Sequence, residues 1–339
     1  MENKLRAAIV GCGAIGEIHA RAISASGGEV AAVFDSRAEA AEAMAKRWGC
    51  GCYTDYDSML RHEALDAAAL CVPSGLHSAL AEPAARAGKH IICEKPLDTS
   101  LERAQRLVDL CRSHGVGLYP IFQHRFDPAV TALKKALDEG RLGKLYWGSA
   151  HVVWYRDDAY YRAAPWRGTF DMDGGVLMNQ SIHSIDLLLH FMGTPESVSG
   201  MCAARRGIFE AEDVGIGSIR FESGALGSVE GTTDAKPGLY NEISLYGEKG
   251  SVIMRNDAIF YVNAPDAPEL ASMADPDAAY TKYQSAAIAP EGHIRQYKDI
   301  ISAIRTGSEP YVTAQSALQT VKTILAIRQS SREGKSIPV

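Results

Sequence analysis

A lysine directly after a buried-strand pattern is the residue of this chain best placed for chemistry. Lys95 stands in the run Cys93-Glu94-Lys95-Pro96, and residues 89–93 have the pattern of a buried strand. At the carboxyl end of a strand in a dinucleotide-binding sheet, a side chain lies beside the nicotinamide. Because proline restricts the preceding residue to an extended backbone, we expect the Lys95 ammonium group to point into the crevice where hydride would move.

A glycine-rich fingerprint lies about eighty residues earlier. Gly11-x-Gly13-x-x-Gly16 follows a strand pattern and precedes a helix pattern, and Asp35 ends the second strand pattern. In this context the glycines allow close approach of backbone N–H groups to a pyrophosphate at the helix N-terminus. Asp35 would accept hydrogen bonds from the adenosine ribose and repel a 2′-phosphate, which favours NAD over NADP. Arg37 could still accept the 2′-phosphate of NADP, so use of NADP is not excluded. The alternative to a dinucleotide site is a glycine-rich turn that binds no ligand.

A second turn is expected beside the nicotinamide half of the cofactor. The run Cys71-Val72-Pro73-Ser74-Gly75-Leu76-His77 ends the third of these strand patterns and starts a helix. His77 is equally consistent with a packing residue at the start of that helix. With the fingerprint, the sequence predicts these cofactor contacts: Gly11, Gly13, Ala14, Ile15, Gly16, Asp35, Arg37, Pro73, Ser74, His77 and Lys95.

The elements that must position these residues alternate between strand and helix up to about residue 123. This alternation predicts a doubly wound parallel sheet with helices on both faces, an α/β Rossmann domain over residues 1–124. The predicted strands are Arg6–Val10, Val30–Phe34, Ala67–Val72, His90–Cys93 and Gly117–Ile121, and the predicted helices are near 16–26, 37–48, 76–87 and 100–114.

The character of the sequence changes near Arg125, where strands with short turns begin to dominate. They predict an α+β domain over residues 125–339 with an open, mostly antiparallel sheet. Residues 264–292 are predicted to form a long loop or short helices. The predicted strands are near 144–155, 196–206, 212–221, 225–233, 241–247 and 251–255. The predicted helices are one that starts at Pro128 after the N-cap Asp127 and ends at Gly140, and three others near 177–191, 293–306 and 313–331.

A polar stripe marks the helix predicted over residues 177–191. Asn179, His183, Asp186 and His190 fall at i, i+4, i+7 and i+11 on one face. His183 and His190 would be roughly 10.5 Å apart along the axis, too far for one ion with bonds of about 2 Å, so no metal is predicted. The stripe is either a solvated face or a face whose first turn meets the active crevice. In the second case Asp186 would orient the His183 ring.

Aromatic and arginine side chains cluster between the first strand and that helix. Such aromatics are often core residues, but sugars also bind to aromatic faces together with fixed hydrogen-bond donors. Arg167 could hold a carboxylate or phosphate with two parallel hydrogen bonds. The candidates for substrate contacts in this cluster are Tyr155, Tyr161, Trp166 and Arg167.

These motifs together resemble the glucose–fructose oxidoreductase / inositol dehydrogenase (Gfo/Idh/MocA) family. The matching pieces run in the family's order from residue 11 to residue 183: the fingerprint, the run Gly88 to Leu97, Gln123-His124-Arg125-Phe126-Asp127-Pro128, and Gly174-Gly175 followed by His183. The resemblance implies that Lys95 and His183 are the catalytic pair. It also implies cofactor contacts at Glu94 and Gln123, substrate contacts near Asn179 and Gln180, and a homodimer or homotetramer formed through the second sheet.

The resemblance also bears on the reaction. It implies hydride transfer between NAD and a hydroxyl or keto carbon of a cyclic sugar, inositol or nucleotide-sugar, and the run from Trp166 to Gln180 resembles the branch holding nucleotide-sugar 3-dehydrogenases. Inositol-dehydrogenase-like members have aspartate where this chain has Asn179. An amide still bonds a sugar hydroxyl, but an acid–base role that needs a carboxylate there is excluded. NAD-dependent glycoside hydrolysis by transient oxidation and non-catalytic dinucleotide sensing are the alternatives.

Composition narrows the classes of partner. The chain has 339 residues, a net charge of −6 and 46% hydrophobic residues. No sequence-wide basic field exists to bind nucleic acid or an anionic membrane, and no apolar run approaches the roughly 20 residues of a membrane span. Met1 leads almost directly into a strand and none of the seven cysteines forms a C-x-x-C pair, so we expect a cytoplasmic protein with reduced thiols.

Overall fold

The computed structural model describes residues 4–277 and 289–339. The chain divides into two compact units. The first comprises Met1–Gln123 and Ile288–Leu318, and the second comprises His124–Ala287 and Gln319–Val339. Each unit is built around one sheet. The first unit therefore includes a late segment of the chain that the sequence pattern assigned to the second domain.

The sheet of the first unit has six parallel strands in the order β3-β2-β1-β4-β5-β6. Strand β1 pairs with both β2 and β4, so the connection reverses direction at its carboxyl end, where doubly wound sheets bind their ligands. The strands are β1 (Arg6–Val10), β2 (Glu29–Phe34), β3 (Gly51–Tyr53), β4 (Ala67–Leu70), β5 (His90–Cys93) and β6 (Leu118–Pro120). The helices are α1 (Ala14–Ala25), α2 (Ala38–Trp48), α3 (Tyr56–His62), α4 (His77–Arg86), α5 (Leu101–Ser113) and, from the late segment, α10 (Glu291–Thr306).

Local signals explain where several of these elements begin and end. All four residues of β4 are buried, as expected of a central strand covered on both faces. Helix α2 ends at Gly49 with φ +63°, the left-handed C-terminal conformation that glycine adopts at little cost. Helix α5 starts after Ser100, whose hydroxyl accepts a hydrogen bond from the Arg103 N–H.

The second unit contains an eight-stranded sheet in the order β13-β12-β11-β7-β10-β9-β8-β14. Among the described strands of this second sheet, only β7 and β10 pair in parallel. The strands are β7 (Leu145–Val153), β8 (Pro195–Ala203), β9 (Val214–Phe221), β10 (Leu226–Thr232), β11 (Asn241–Gly247), β12 (Ser251–Arg255), β13 (Ala258–Asn263) and β14 (Ile337–Pro338). The helices are α6 (Pro128–Asp138), α7 (Asp158–Arg162), α8 (Ile182–Met192), α9 (Pro268–Ser272) and α11 (Ala314–Glu333), the last of which begins in the first unit.

The two faces of this sheet differ. A Cβ added at Gly148 of β7 would meet Met192 and Leu188 of α8, and one added at Gly217 of β9 would meet Ile327 of α11. Helices therefore pack closely against one face. Large apolar side chains remain exposed on these strands, among them Met201 (72% exposed), Trp147, Ile216, Leu226 and Tyr261.

The two-part fold predicted from the sequence is confirmed: a parallel Rossmann-like sheet is followed by a mostly antiparallel one. The short elements β3 and α3 and the edge strand β13 were not predicted. Of the predicted loop at 264–292, the described part contains α9, and residues 278–288 lie outside the described residues. Among the described residues no helix combines the length and hydropathy that a bilayer span requires.

The helix predicted over 177–191 is in fact two elements. A π-helical turn, Val176–Gln180, precedes α8. Gly175 enters this turn with φ +73°, and a Cβ there would lie 2.6 Å from a carboxylate oxygen of Glu212. Glu212 accepts a hydrogen bond from the Leu177 N–H and is paired with buried Arg328. This anchored turn changes the register of Asn179 relative to His183, so the regular i, i+4 spacing of an α-helix does not apply to them. Single π turns of this kind are frequent at functional sites.

Candidate active site

The glycine fingerprint closes a tight turn after β1. The Gly11 N–H donates to the Phe34 carbonyl at 2.8 Å, and Gly11 has φ +103°. A Cβ at Gly11 would lie 2.5 Å from the Cys71 carbonyl oxygen, and one at Gly16 would lie 2.2 Å from the Gly11 carbonyl oxygen. These two glycines are therefore required by the protein's own packing.

Gly13 differs from the other two glycines, and its surroundings fit a dinucleotide. A Cβ at Gly13 would meet nothing within 4 Å, and no side chain caps α1 at this residue. The helix N-terminus thus presents N–H groups to open space, the arrangement that binds a pyrophosphate. NAD fits here because the turn provides both the donors and the room for its phosphates.

Asp35 lies at the carboxyl end of β2, where the adenosine ribose of a dinucleotide would bind. Its carboxylate accepts hydrogen bonds from the Cys12 N–H and the Arg37 N–H, both at 2.9 Å, and from Arg37 Nε at 3.2 Å. Burial alone would raise the pKa of Asp35, but the hydrogen bonds from Arg37 and Cys12 outweigh it and hold the pKa below its usual range. The carboxylate is therefore anionic at neutral pH, and Arg37 is engaged with it.

The turn that carries Lys95 is held from two sides. The Lys95 N–H donates to Glu94 Oε2 at 3.1 Å. On the other side, His77 Nδ1 lies 2.8 Å from the Pro96 carbonyl oxygen, and His77 is fully buried. Because β5 is two strands from β1 in the same parallel sheet, Lys95 and the fingerprint lie at the same edge of that sheet. His77 braces this turn, and its contact with the cofactor stays a prediction.

Glu94 belongs to a buried polar cluster that the sequence did not reveal. Its Oε1 lies 2.8 Å from His19 Nε2 and 3.5 Å from His293 Nε2, and His19 Nδ1 lies 2.7 Å from the Tyr297 hydroxyl. Burial alone would raise the pKa of Glu94, but the two histidines hold it well below its usual range. The side chain of Glu94 thus ties α1 and α10 to the Lys95 turn, while its predicted contact with the cofactor remains a prediction.

The remaining predicted cofactor residues lie on short turns of the first unit. Pro73 precedes a 3₁₀ turn, Ser74–Leu76, and both Pro73 and Ser74 are partly buried. Ala14 and Ile15 form the first turn of α1. The side-chain oxygen of Gln123 is buried and has no hydrogen-bond partner among the described residues. An acceptor in that condition is consistent with a ligand contact.

In the second unit, His183 lies in the first turn of α8 and contacts a second histidine. Its ring centroid lies 4.7 Å from that of His124, with an angle of 66° between the ring planes. His124 Nδ1 is 3.2 Å from a carboxylate oxygen of Asp127 and 3.2 Å from one of Asp257. Burial would lower the pKa of His124, but the two carboxylates outweigh it and raise the pKa to about 10. His124 is therefore a cation at neutral pH.

The prediction that Asp186 orients His183 is not what the structure shows. Asp186 is 1% exposed and forms a bidentate pair with Arg125, which is 5% exposed, at 2.6 and 2.7 Å. It also accepts a hydrogen bond from the Thr320 hydroxyl. Burial, with Arg125 and Lys134 nearby, lowers the pKa of His190 to about 3. On α8, Asp186 of the stripe is buried while His183 and His190 are partly exposed, so the stripe is not a fully solvated face.

Three of the predicted substrate residues lie along one chain of contacts. Gln180 Nε2 donates to the Tyr160 hydroxyl at 3.0 Å, and the Arg167 guanidinium lies 3.8 Å from the centroid of the Tyr160 ring and 5.1 Å from that of Trp166. Two buried nitrogen atoms of Arg167, Nε and Nη1, have no hydrogen-bond partner among the described residues. The Arg167 guanidinium is stacked on an aromatic ring and is not paired with a carboxylate of the described residues, so it can bind an anion.

The other predicted substrate residues have different surroundings. Asn179 donates its amide to Asp173. Tyr161 is buried, its hydroxyl bonds Thr233 at 2.8 Å, and its ring stacks on Phe209 at 4.0 Å. Those contacts favour a packing role for Tyr161.

Tyr155 lies among cations rather than in the core. Its ring centroid is 5.1 Å from Lys236 Nζ and 6.0 Å from the Arg206 guanidinium. For Asn179, Tyr155 and Tyr161, contact with a substrate stays a prediction.

Two groups of side chains in the described parts of the chain bring three potential metal ligands within 4.8 Å of one another, His19-Glu94-His293 and His124-Asp127-Asp257. In the first group the nitrogen-to-oxygen distance of 2.8 Å is a hydrogen-bond distance. In the second, one nitrogen faces two carboxylates, as a protonated ring does. Hydrogen bonds and ion pairs within each group account for its geometry.

Comparison with known proteins identifies the chain. The model of an oxidoreductase family with an NAD-binding Rossmann fold matches residues 5–122, and that family's C-terminal alpha/beta domain matches residues 134–339. The chain belongs to this family. The WlbA dehydrogenase from Bordetella pertussis, solved in complex with NADH and UDP-GlcNAcA, is 33% identical, with a TM-score of 0.92 over 100% of this chain and 99% of that one.

Curated relatives agree with this assignment. Inositol 2-dehydrogenase of Rhizobium meliloti (strain 1021) is 28% identical over 341 residues, covering 99% of each chain. The scyllo-inositol 2-dehydrogenase (NAD(+)) of Bacillus subtilis (strain 168) is 27% identical, covering 99% of this chain and 97% of that protein. The predicted family, the predicted dehydrogenase activity and the predicted use of NAD are thereby confirmed.

Proposed function

We propose that this family member transfers hydride between NAD and a secondary hydroxyl carbon of a cyclic sugar, an inositol or a nucleotide-sugar. One observation carries the proposal: the fingerprint turn, Asp35 and Lys95 all follow the carboxyl ends of strands in one parallel sheet. That edge is where such sheets bind a dinucleotide. The names of the relatives, which act on inositols or bind a nucleotide-sugar, supply the substrate class.

The proposed chemistry divides between two side chains. NAD, when bound, accepts the hydride from the alcohol and returns it in the reverse reaction. His183 takes the hydroxyl proton as general base, and in the reverse direction it protonates the oxygen. Lys95, as an ammonium ion, orients the hydroxyl and stabilises the alkoxide that develops on its oxygen. The hydrogen bond from the Lys95 N–H to Glu94 and the one between His77 and the Pro96 carbonyl oxygen fix the backbone from which the Lys95 side chain extends.

Within this class we propose a substrate that carries a carboxylate or phosphate. Arg167 supports this choice, because its guanidinium is stacked on Tyr160 and two of its buried nitrogen atoms have no partner among the described residues. A second stacked arginine, Arg156, lies 5.3 Å from the same ring. The solved relative that binds UDP-GlcNAcA, an acidic nucleotide-sugar, is consistent with this preference.

The test is turnover of a substrate panel by the purified protein with NAD. Neutral inositols, free sugars, uronates and UDP-linked sugars are compared by NADH formation, and the products are identified. Lys95→Ala and His183→Ala should each lower kcat by about two to four orders of magnitude while leaving NADH affinity near that of the wild type. Undiminished turnover in either variant contradicts its proposed role. Release of a free sugar without net NADH would instead indicate the hydrolase, and binding of NADH without turnover would indicate a sensor.

Arg167 has its own matched test. Arg167→Met keeps the apolar stem and removes the charge, so KM for an acidic substrate should rise about tenfold or more while KM for a neutral analogue stays nearly constant. Equal effects on both substrates would show that Arg167 does not recognise an anion.

We also propose the wider setting of the enzyme. Residues 1–124 are proposed as the nucleotide-binding domain and residues 125–339 as the substrate-binding and oligomerisation domain, although the compact first unit adds Ile288–Leu318. The exposed Met201, Ile216 and Leu226 support a homodimer or homotetramer through the second sheet. The proposed compartment is the cytoplasm. Sedimentation of the purified protein tests the oligomer.

A further inference from the structure

We propose that His124 is a positioning residue for His183: clamped by Asp127 and Asp257, its ring fixes the orientation of the His183 ring and its charge favours the neutral, proton-accepting form of that base. The inference rests on the proposed function, because it assumes that His183 accepts the proton. It assigns a role to three residues that the sequence analysis left without one.

The clamp on His124 is formed by two separate elements. His124 and Asp127 bracket the end of a 3₁₀ turn, Gln123–Phe126, just before α6. Asp257 comes from the two-residue turn between β12 and β13, where Asn256 has φ +47° and Asp257 φ +67°. Asparagine and aspartate are the side-chain-bearing residues that tolerate this left-handed conformation best. The hairpin turn thereby delivers a carboxylate to a ring from another part of the unit.

The contact between the two histidines is close and nearly edge-to-face. The centroid distance of 4.7 Å and the angle of 66° fall in the range of favourable aromatic pairs. Nδ1 of His124 contacts both carboxylates, so the His124 ring cannot rotate without breaking these two ion-pair contacts. His183 therefore packs against a fixed surface.

The charge of His124 adds a second effect. At neutral pH the ring is an imidazolium, since Asp257 and Asp127 raise its pKa to about 10 against the effect of burial. A second positive charge on His183, at this distance, would be repelled. A general base must be neutral to act, and the neighbouring cation favours that form of His183 against the opposite effect of the two carboxylates that hold the cation.

Among the described residues, the other titratable groups on α8 and on α6 near these rings are either paired or neutral. On α8 itself Asp186 is paired with Arg125, and burial keeps His190 neutral. On α6, Lys134 is paired with Asp138.

In the described part of the chain, the charged pair nearest to α8 on the strands packed against it is Glu242 with Arg255. Strand β7 meets α8 at Gly148, and alternation places Ala150 and Val152 on the same face. On the neighbouring strands Glu242 of β11 is paired with Arg255 of β12 at 2.5 Å. Among the contacts of the described residues, the charged groups nearest to the His124 and His183 rings are therefore the carboxylates of Asp127 and Asp257.

Two substitutions separate the ring from its charge. His124→Phe keeps an aromatic ring against His183 but removes the cation and leaves both carboxylates, so the acid limb of the kcat/KM profile should move to higher pH by about 0.5–1 unit. Asp257→Asn keeps the imidazole and removes one negative charge, so the same limb should stay in place or move to lower pH. His124→Asn removes the ring and should lower kcat several-fold at every pH.

A measurement that does not depend on turnover completes the test. The titration of the His183 ring is followed by NMR in the wild type, in His124→Phe and in Asp257→Asn, each first shown to unfold cooperatively. A rise of the His183 midpoint in His124→Phe, with no rise in Asp257→Asn, supports the inference. Equal midpoints in all three proteins overturn it. If His183→Ala retains full activity, the proposed base is wrong, and the NMR result still decides whether His124 governs the charge of that ring.

Discussion

Gly13 offers a way to impair the cofactor site without disturbing the fold. Gly13 has φ −80°, an ordinary value for any residue, and a Cβ at this position would meet nothing within 4 Å. Gly13→Ala should therefore leave the free energy of unfolding, measured without nucleotide, within about 0.5 kcal/mol of the wild type. The same methyl group would stand where the pyrophosphate approaches the helix N-terminus.

The expected loss of NAD affinity follows from that position. One methyl group that holds a phosphate away from its N–H donors weakens at least one charge-assisted hydrogen bond, each contributing about 1.5–3 kcal/mol. The dissociation constant of NADH should rise about 10–100-fold, because about 1.4 kcal/mol corresponds to a factor of ten.

The other two glycines of the fingerprint provide the matched controls. Gly11→Ala would place a methyl group 2.5 Å from the Cys71 carbonyl oxygen at φ +103°, and Gly16→Ala would place one 2.2 Å from the Gly11 carbonyl oxygen. Backbone strain and overpacking each cost about 1–3 kcal/mol. Gly11→Ala combines both effects and should lose about 2–6 kcal/mol of stability even without nucleotide, whereas Gly16→Ala involves overpacking alone and should lose about 1–3 kcal/mol.

Urea unfolding without nucleotide and fluorescence titration with NADH measure the two effects separately. A loss of stability in Gly13→Ala as large as that in Gly11→Ala would contradict the proposed open site at Gly13. Wild-type affinity of Gly13→Ala for NADH would equally contradict the placement of the pyrophosphate at this residue.

Three further predictions concern charged groups. Asp35→Ser removes the carboxylate that faces the ribose and frees Arg37, so the ratio of kcat/KM for NADP to that for NAD should rise about 10-fold or more. Asp186→Ala leaves buried Arg125 without its carboxylate and should cost about 3–5 kcal/mol of unfolding free energy in urea, whereas Asp186→Asn should cost less. Glu94 has a lowered pKa in the folded state, so its contribution to stability is present above the unfolded pKa of about 4.3 and is lost as the pH falls below it. Relative to Glu94→Gln, the wild type should lose its advantage in that acidic range.

Each of these has a control or a contrary outcome. An unchanged cofactor preference in Asp35→Ser would mean that the ribose is read elsewhere. Arg86→Ala breaks the exposed pair with Glu82 and should change stability by less than about 0.5 kcal/mol, so a similar loss in Asp186→Ala would contradict the argument from burial. A difference between wild type and Glu94→Gln that does not vary with pH would remove Glu94 from acid unfolding.

Local patterns carried most of what the sequence could predict. The fingerprint, Asp35 and Lys95 are contiguous with strand and helix signals, so their place at one edge of a sheet follows from chain direction. The cluster of Glu94, His19 and His293 could not be predicted in this way, because His293 lies some two hundred residues from Glu94. The periodic pattern of a helix does not tell which hydrophobic core that helix joins. Asp257 was missed for a similar reason: a two-residue turn predicts a hairpin but not the ring that its side chain meets.

The position of α10 has a consequence for how the protein is made. Tyr297, Ile300 and Ile301 of this helix are part of the hydrophobic core around β1 and α1, and Gln296 bonds the backbone at Pro120 and Phe122. This helix is synthesised only after the strands β7 to β13. During translation the first half of the chain therefore emerges with an uncovered apolar surface, and its core is completed only when residues near 300 have left the ribosome. The nucleotide-binding unit begins first and is finished nearly last, so an interrupted translation product would be aggregation-prone rather than a small working domain.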